Sequence, residues 1–288
     1  MVLIKSRLKN TVFQPLSTSL DILFSSKAAT EVLDMRNGVV LEIDDEVAVI
    51  TINRPQARNA LDLQSTDEFK TAVAKVENED SVRAVVLTGA GGVFCSGADL
   101  REMADKGAVY QAWAGADGPL AKRCLKPVIA AVEGYAVAGG LGVALWADLR
   151  VADSTAVFGV FCRRFGVPMS DGTPTRLPKV IGRAGALDML LTGRPVNTDE
   201  AFRIGLVDRV TAQGETLRAA KILAREIARF PNLAMLADRT ACWQAFDLDE
   251  ASALLSEERG AQAAKASEAA AGAVKFKGGM GRGGSPRT

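Results

Sequence analysis

Two short segments with apolar centres, Arg83-Ala-Val-Val-Leu-Thr88 and Pro127-Val-Ile-Ala-Ala-Val132, each end beside a glycine-containing turn. Apolar runs of that length without alternation predict strands covered on both faces, which belong in parallel sheets walled by helices. The flanking segments supply those helices. Phe69, Val73 and Val76 recur at helical spacing before the first run, and an apolar stretch with helical character follows the second before Leu149-Arg-Val-Ala152 reads as another strand. Upstream, Val39–Glu42 and Val47–Ile52 carry β-branched, partly alternating patterns around Asp44-Asp45-Glu46, and so predict a hairpin or two adjacent strands. Strand and helix therefore alternate, and the fold class is α/β.

From Arg183 onward the chain reads as mainly helical, with Thr198-Asp-Glu200 marking a helix start and Thr216–Arg229 amphipathic. Pro231 interrupts that pattern, so a boundary is drawn near Asn232. The divisions are a leader over 1–34, a core over 35–231, and a C-terminal helical region with a basic tail over 232–288. The leader is basic and hydroxyl-rich with no acid before Asp21, so it reads as flexible, with a transit peptide as the alternative and Met35 as a candidate start. Ala251–Ala273 is Ala-rich and helix-prone, and the Gly-, Lys- and Arg-rich end from Lys275 predicts a mobile tail.

Composition removes several chemistries. The chain has no histidine, which excludes Ser-His-Asp and Cys-His nucleophile activation and histidine-containing zinc sites. Cys95, Cys124, Cys162 and Cys242 form no CxxC pair, which suits reduced thiols in a cytoplasmic setting rather than a disulfide framework or metal knuckle. With 35 Lys+Arg against 34 Asp+Glu there is no global field to draw a polyanion, so no nucleic-acid partner is expected. The weakly polar run from Gly134 to Ala147 is too short to span a bilayer, so no membrane partner is expected either.

The chemistry is written in the two turns, Gly89-Ala-Gly-Gly-Val-Phe-Cys-Ser-Gly-Ala-Asp-Leu100 and Gly134-Tyr-Ala-Val-Ala-Gly-Gly140. Neither has the spacing of a dinucleotide fingerprint or a P-loop. Such turns let backbone N–H groups converge on a developing negative charge, and a helix starting at the second adds its positive end. Either turn alone also reads as simple punctuation between strand and helix.

Asn53-Arg-Pro-Gln-Ala-Arg-Asn-Ala-Leu61, Phe94-Cys-Ser-Gly-Ala-Asp-Leu100, Lys126–Ala136 and Phe158-Gly159 resemble, in order and separation, blocks of the crotonase (enoyl-CoA hydratase/isomerase) superfamily. Arg176–Gly182 and Ala201–Val207 extend the resemblance, which covers roughly Gly38 to Phe276. It implies a spiral of repeated ββα units with a C-terminal helical trimerisation region, assembling as a homotrimer or hexamer. It also implies an acyl-CoA or enoyl-CoA thioester as substrate, with no separate cofactor and no metal. By position, the Ala98 and Gly139 N–H groups would hold the thioester oxygen. Gln56, Ala57 and Arg58 would lie beside the adenine and phosphates, Arg101 close to the phosphates, and Phe276 with the basic tail over the CoA. For Arg58 and Arg101 the alternative is a solvated surface arginine.

The chain departs from the hydratase pattern where hydratases carry two glutamates, because those positions fall on Gly142 and Cys162. Arg163 and Arg164 could make Cys162 a nucleophile by lowering its pKa, but a small buried hydrophobe is the preferred reading. Asp171 is the remaining candidate acid or base, and Asp171 or Ser170 ahead of Gly-Thr-Pro also reads as a helix N-cap. Dienoyl-CoA isomerases resemble this stretch, with their acid opposite Ser170. Asp99 and Glu102 read as helix-start acids, and Trp113, Trp146 and Trp243 as core. The leading reading is an enoyl-CoA hydratase/isomerase-like enzyme that stabilises a thioester enolate and for which hydration itself is doubtful. The alternatives are a non-catalytic acyl-CoA-binding protein and a CoA thioesterase.

Overall fold

In the computed structural model, which describes residues 31–34, 38–106 and 113–281, the chain forms two sheets enclosed by helices. The expected hairpin is present as β2 (Val39–Asp44) and β3 (Val47–Ile52), antiparallel with Val39 opposite Ile52 and Asp44 opposite Val47. Alternate residues of β2 are buried, as one covered face requires. A strand β1 (Glu31–Asp34) pairs antiparallel with β2, so the sheet begins inside the stretch read as a leader. Residues 1–30, Met35, and the end of the basic tail beyond 281 lie outside the described residues.

Helix α1 (Leu63–Asn78) starts where Asp62 accepts the Ser65 N–H at 2.8 Å and the Ser65 hydroxyl oxygen accepts the Asp62 N–H at 3.0 Å. It buries Phe69, Ala72 and Val76, one face at helical spacing. Strand β4 (Ala84–Gly89) then runs parallel to β3, and β5 (Val128–Val132) runs parallel to β4. Every residue of β5 is buried, which explains the absence of alternation in its sequence.

The second strand of each later unit leaves the large sheet for a small one. After β5 comes β6 (Tyr135–Val137), then α3 (Gly139–Trp146); after β7 (Leu149–Asp153) comes β8 (Val157–Gly159), parallel to β6. The Phe94–Ala98 segment joins this layer through a parallel bridge from Cys95 to Ala136, ahead of α2 (Leu100–Lys106). Repeated strand, strand and helix units thus wind into two stacked layers. The sheet order is β1-β2-β3-β4-β5-β7-β10 in the large sheet and β6-β8-β9 in the small one, with β9 at Val196–Asn197 and β10 at Arg209–Thr211.

The helical region begins earlier than its sequence suggested. Helix α4 (Thr173–Thr192) already spans Arg183 and breaks at Gly182, whose φ of 76° lies outside helical geometry. Next come α5 (Thr198–Arg203) and α6 (Thr216–Ala228). Ala220, Leu223 and Ala224 of α6 cover the face of the large sheet carrying Val49, Val86 and Ile129. The opposite face, with Leu87 and Ala130, packs with Phe69 of α1 and with α3. Beyond Pro231 lie α7 (Asn232–Gln244), α8 (Glu250–Ser267) and α9 (Ala269–Lys277). The helix-prone stretch 251–273 is helical as expected and divides into α8 and α9 at Glu268, whose side chain accepts the Leu233 and Ala234 N–H groups at 3.0 and 2.9 Å. Those are orphan donors at the start of α7, which Glu268 caps from outside. No helix among the described residues is long and apolar enough to cross a membrane.

Candidate active site

The two turns come together at one cavity. The first is anchored by Asn59, fully buried, whose side chain donates to the Ala90 carbonyl at 2.9 Å and accepts the Arg54 N–H at 2.8 Å. Arg54 in turn bonds Asp62 at 2.8 Å and Asp99 at 3.2 Å. Further along, the Leu61 N–H donates to the Gly97 carbonyl at 2.8 Å and the Asp99 N–H to the Leu61 carbonyl at 2.9 Å, leaving Ala98 between them. Among the described residues no hydrogen bond uses the Ala98 N–H or the Gly139 N–H.

The turns touch at their glycines. Gly97 adopts φ 100°, and a Cβ added there would stand 2.7 Å from the Gly139 nitrogen. A Cβ on Gly139 would stand 2.6 Å from the Trp113 ring and 3.2 Å from the Gly97 Cα. Only glycine permits this approach. Between them Ala138 holds φ 50° and ψ −128°, a strained conformation for an L-residue, with its N–H donating to the Gly159 carbonyl at 2.9 Å. Its signal was faint, since the glycines around it look like the flexible positions.

A cavity of about 140 Å³ is lined by Ala98 and Gly139 on one side and by Cys162 and Asp171 on the other. Met103, Trp113, Phe161 and Met169 add apolar wall. Trp113 therefore lines the site rather than only filling core, while Trp146 packs edge-on against Phe69 with centroids 5.8 Å apart. Trp243 lies elsewhere, donating to Asp148 at 2.9 Å.

Asp171 is the one carboxylate on that wall among the described residues, and it is 4% exposed. Its Oδ1 accepts the Thr173 N–H at 2.8 Å in a turn ahead of α4, but the N-cap is Gly172, in a left-handed conformation and without a side-chain cap, so neither Ser170 nor Asp171 is the N-cap expected from sequence. Burial raises its pKa above the ordinary carboxylate range, opposed by the Thr173 bonds and by Arg176. The Thr173 hydroxyl beside it is buried and has no hydrogen-bond partner among the described residues. Gly142 sits on α3 against the Asp171 side chain.

Cys162 is buried, with its Sγ 3.0 Å from the Met169 Sδ. Burial raises its pKa, the Asp171 charge adds to this, and Arg163 opposes it only weakly. This favours the preferred reading of Cys162 as a small buried hydrophobe over a nucleophile activated by Arg163 and Arg164, because burial is the largest influence on the thiol. Cys95, also buried, is pushed up to about 12.

The remaining expected residues fall around the cavity or away from it. Pro55-Gln-Ala57 form a 3-10 turn, Arg58 follows in a left-handed conformation, and the Ser96 N–H donates to the Arg58 carbonyl at 3.2 Å. Gln56 and Arg58 are exposed beside the first turn, and the Arg58 guanidinium lies 5.9 Å from the Tyr135 ring. Arg101 is exposed on α2. Phe276, on α9, is 61% exposed and is not among the residues lining the cavity. Asp99 accepts the Arg101 N–H at 3.1 Å at the start of α2, while Glu102 reaches across to accept the Leu63 N–H at 2.8 Å at the start of α1.

The winding of the two sheets and the paired turns at the cavity define a crotonase-type protein, and comparison with known proteins agrees. A family model described as enoyl-CoA hydratase/isomerase matches residues 42–277. A short-chain-enoyl-CoA hydratase from Clostridium acetobutylicum is 37% identical over 231 residues, covering 78% of this chain and 88% of that protein. A crotonyl-CoA hydratase from Syntrophomonas wolfei is 37% identical over 216 residues, covering 73% and 83% respectively. The crystal structure of an enoyl-CoA hydratase from Mycobacterium marinum aligns with a TM-score of 0.79 at 31% identity, covering 84% of this chain and 96% of that one. The chain belongs to the enoyl-CoA hydratase/isomerase family of the crotonase superfamily and is an enzyme of that family.

Proposed function

We propose that this enzyme moves a double bond within an enoyl-CoA thioester, with the Ala98 and Gly139 N–H groups holding the thioester oxygen and Asp171 carrying the proton. The observation that supports this most directly is the placement of a single buried carboxylate across one cavity from two backbone donors without partners among the described residues. In the proposed step the Asp171 carboxylate removes a proton from the carbon between the thioester and an isolated double bond. The electron pair moves onto the thioester oxygen as a dienolate, and the same proton returns at the far carbon to leave a conjugated enoyl thioester. Water is not consumed, which suits positions 142 and 162, read as the two hydratase glutamates and occupied here by a glycine and a protonated thiol. Preorganised donors of this kind lower a barrier by about 3–4 kcal/mol each, and general acid–base transfer adds about 10²–10⁴-fold.

In this reading Gln56, Ala57 and Arg58 contact the adenine and phosphates, Arg101 meets the phosphates, and Phe276 covers the CoA in a homotrimer or hexamer. The test is turnover of isolated and conjugated enoyl-CoA substrates of several chain lengths. Conversion of the isolated isomer, lost by roughly 10²–10⁴-fold in Asp171→Asn, is the expected result. Tight binding by calorimetry with no turnover would replace it with a CoA-ester-binding protein, and release of free CoA thiol with a thioesterase.

A further inference from the structure

Gly142 is buried in α3, where glycine costs about 1 kcal/mol relative to alanine unless its missing side chain serves some purpose. A Cβ built at Gly142 would stand 2.5 Å from Asp171 Cγ, 2.7 Å from Asp171 Cβ and 2.8 Å from Asp171 Oδ2. The carboxyl group thus occupies the volume that any larger residue of α3 would claim. Asp171 has little freedom to yield. Its Oδ1 accepts the Thr173 N–H at 2.8 Å, its carbonyl accepts from Arg176 at 3.2 Å, and the preceding Ser170 carbonyl accepts the Ala114 N–H at 2.9 Å. With Oδ1 committed to the start of α4, Oδ2 is the oxygen left to face α3.

We infer that Gly142 is a positioning residue, an absent side chain that seats the Asp171 carboxylate, and that Oδ2 is the oxygen that handles the proton. The acid is supplied from the N-terminus of α4 into a space that α3 would otherwise fill. This rests on the reading of Asp171 as the enzyme's acid and base, and the two are separable by experiment. It also changes what a glutamate introduced at position 142 would do, because such a side chain would meet Asp171 before reaching the cavity.

The test compares Gly142→Ala, Asp171→Asn, Asp171→Gly and the exchange variant Gly142→Asp with Asp171→Gly. Turnover of an isolated enoyl-CoA and calorimetric affinity for octanoyl-CoA are measured for each. Gly142→Ala is expected to keep its affinity within a few-fold while its kcat falls about 10²–10⁴-fold, to the level of Asp171→Asn. The exchange variant is expected to exceed Asp171→Gly in kcat, since it returns a carboxylate to the same volume from the other helix. Parental kcat in Gly142→Ala beside an inactive Asp171→Asn overturns the positioning role and leaves the acid in place. Parental kcat in Asp171→Asn overturns the acid itself. Should Gly142→Ala fail to fold, the exchange pair decides, and an exchange variant no faster than Asp171→Gly overturns the inference.

Discussion

In the proposed step Asp171 divides its two oxygens, Oδ1 holding the Thr173 N–H and Oδ2 handling the proton, and its burial sets the pH behaviour expected of it. As a base it must be ionised, so kcat/KM for the isolated isomer should rise with pH to a plateau, with a midpoint above the ordinary carboxylate range, and Asp171→Asn should lack that limb. Stability should move the other way. A carboxyl whose pKa is raised on folding binds its proton more tightly in the folded state, so its contribution is complete below the unfolded pKa of about 3.9 and is lost as pH rises through the folded value. Asp171→Asn keeps an acceptor for the Thr173 N–H and should therefore melt higher than the parent at neutral pH, with the difference vanishing under acid; a thermal melt series across pH checks the sign. Ala138 stores strain of a different kind. Ala138→Gly should gain about 1 kcal/mol in denaturant unfolding by releasing its positive φ, and Ala138→Val should lose stability.

One helix of the C-terminal region is tied to the core by a half-buried aspartate at the end of another. Asp148, at the junction of α3 and β7, accepts the Val128 N–H at 2.8 Å through one oxygen and Arg239 and Trp243 of α7 at 2.9 Å each through the other. The Arg123 guanidinium lies 3.1 Å from the centroid of the Trp243 ring and completes the joint. Asp148→Ala leaves a half-buried arginine and a tryptophan N–H without their acceptor, and should cost about 2–4 kcal/mol, read by urea unfolding. The loss should also loosen α7 first, seen as faster amide exchange over Asn232–Gln244 than over β4 and β5. None of this was legible in composition, since an aspartate ahead of a strand looks like any surface acid. Strands β2 to β5 and β7, and the buried face of α1, were legible because their apolar patterns are local, whereas β1 falls in the stretch read as a leader. Short β6, β9 and β10 were not, because two or three residues carry no period to read.

The same distinction holds for the arrangement of the units. The C-terminal helices leave Phe246, Leu254, Leu255 and Val274 more than half exposed, which is unusual for so many large apolar side chains and is the surface a homo-oligomer would cover. For the proposed trimer or hexamer, light scattering should return a mass of three or six chains. Leu254→Glu with Leu255→Glu should lower it toward one chain, whereas a monomeric parent would remove the trimer from the proposal. What the linear chain settled was the α/β class, the family, and the two glycine turns, because apolar period and backbone permissiveness depend on neighbours within a few positions. What only folding decided was the surroundings of Asp171 and Cys162. Gly142 and Asp171 stand far apart along the chain, and neither reveals that one is empty because the other fills its place. The same holds for Cys162, whose basic neighbours in sequence are outweighed by the burial that folding imposes.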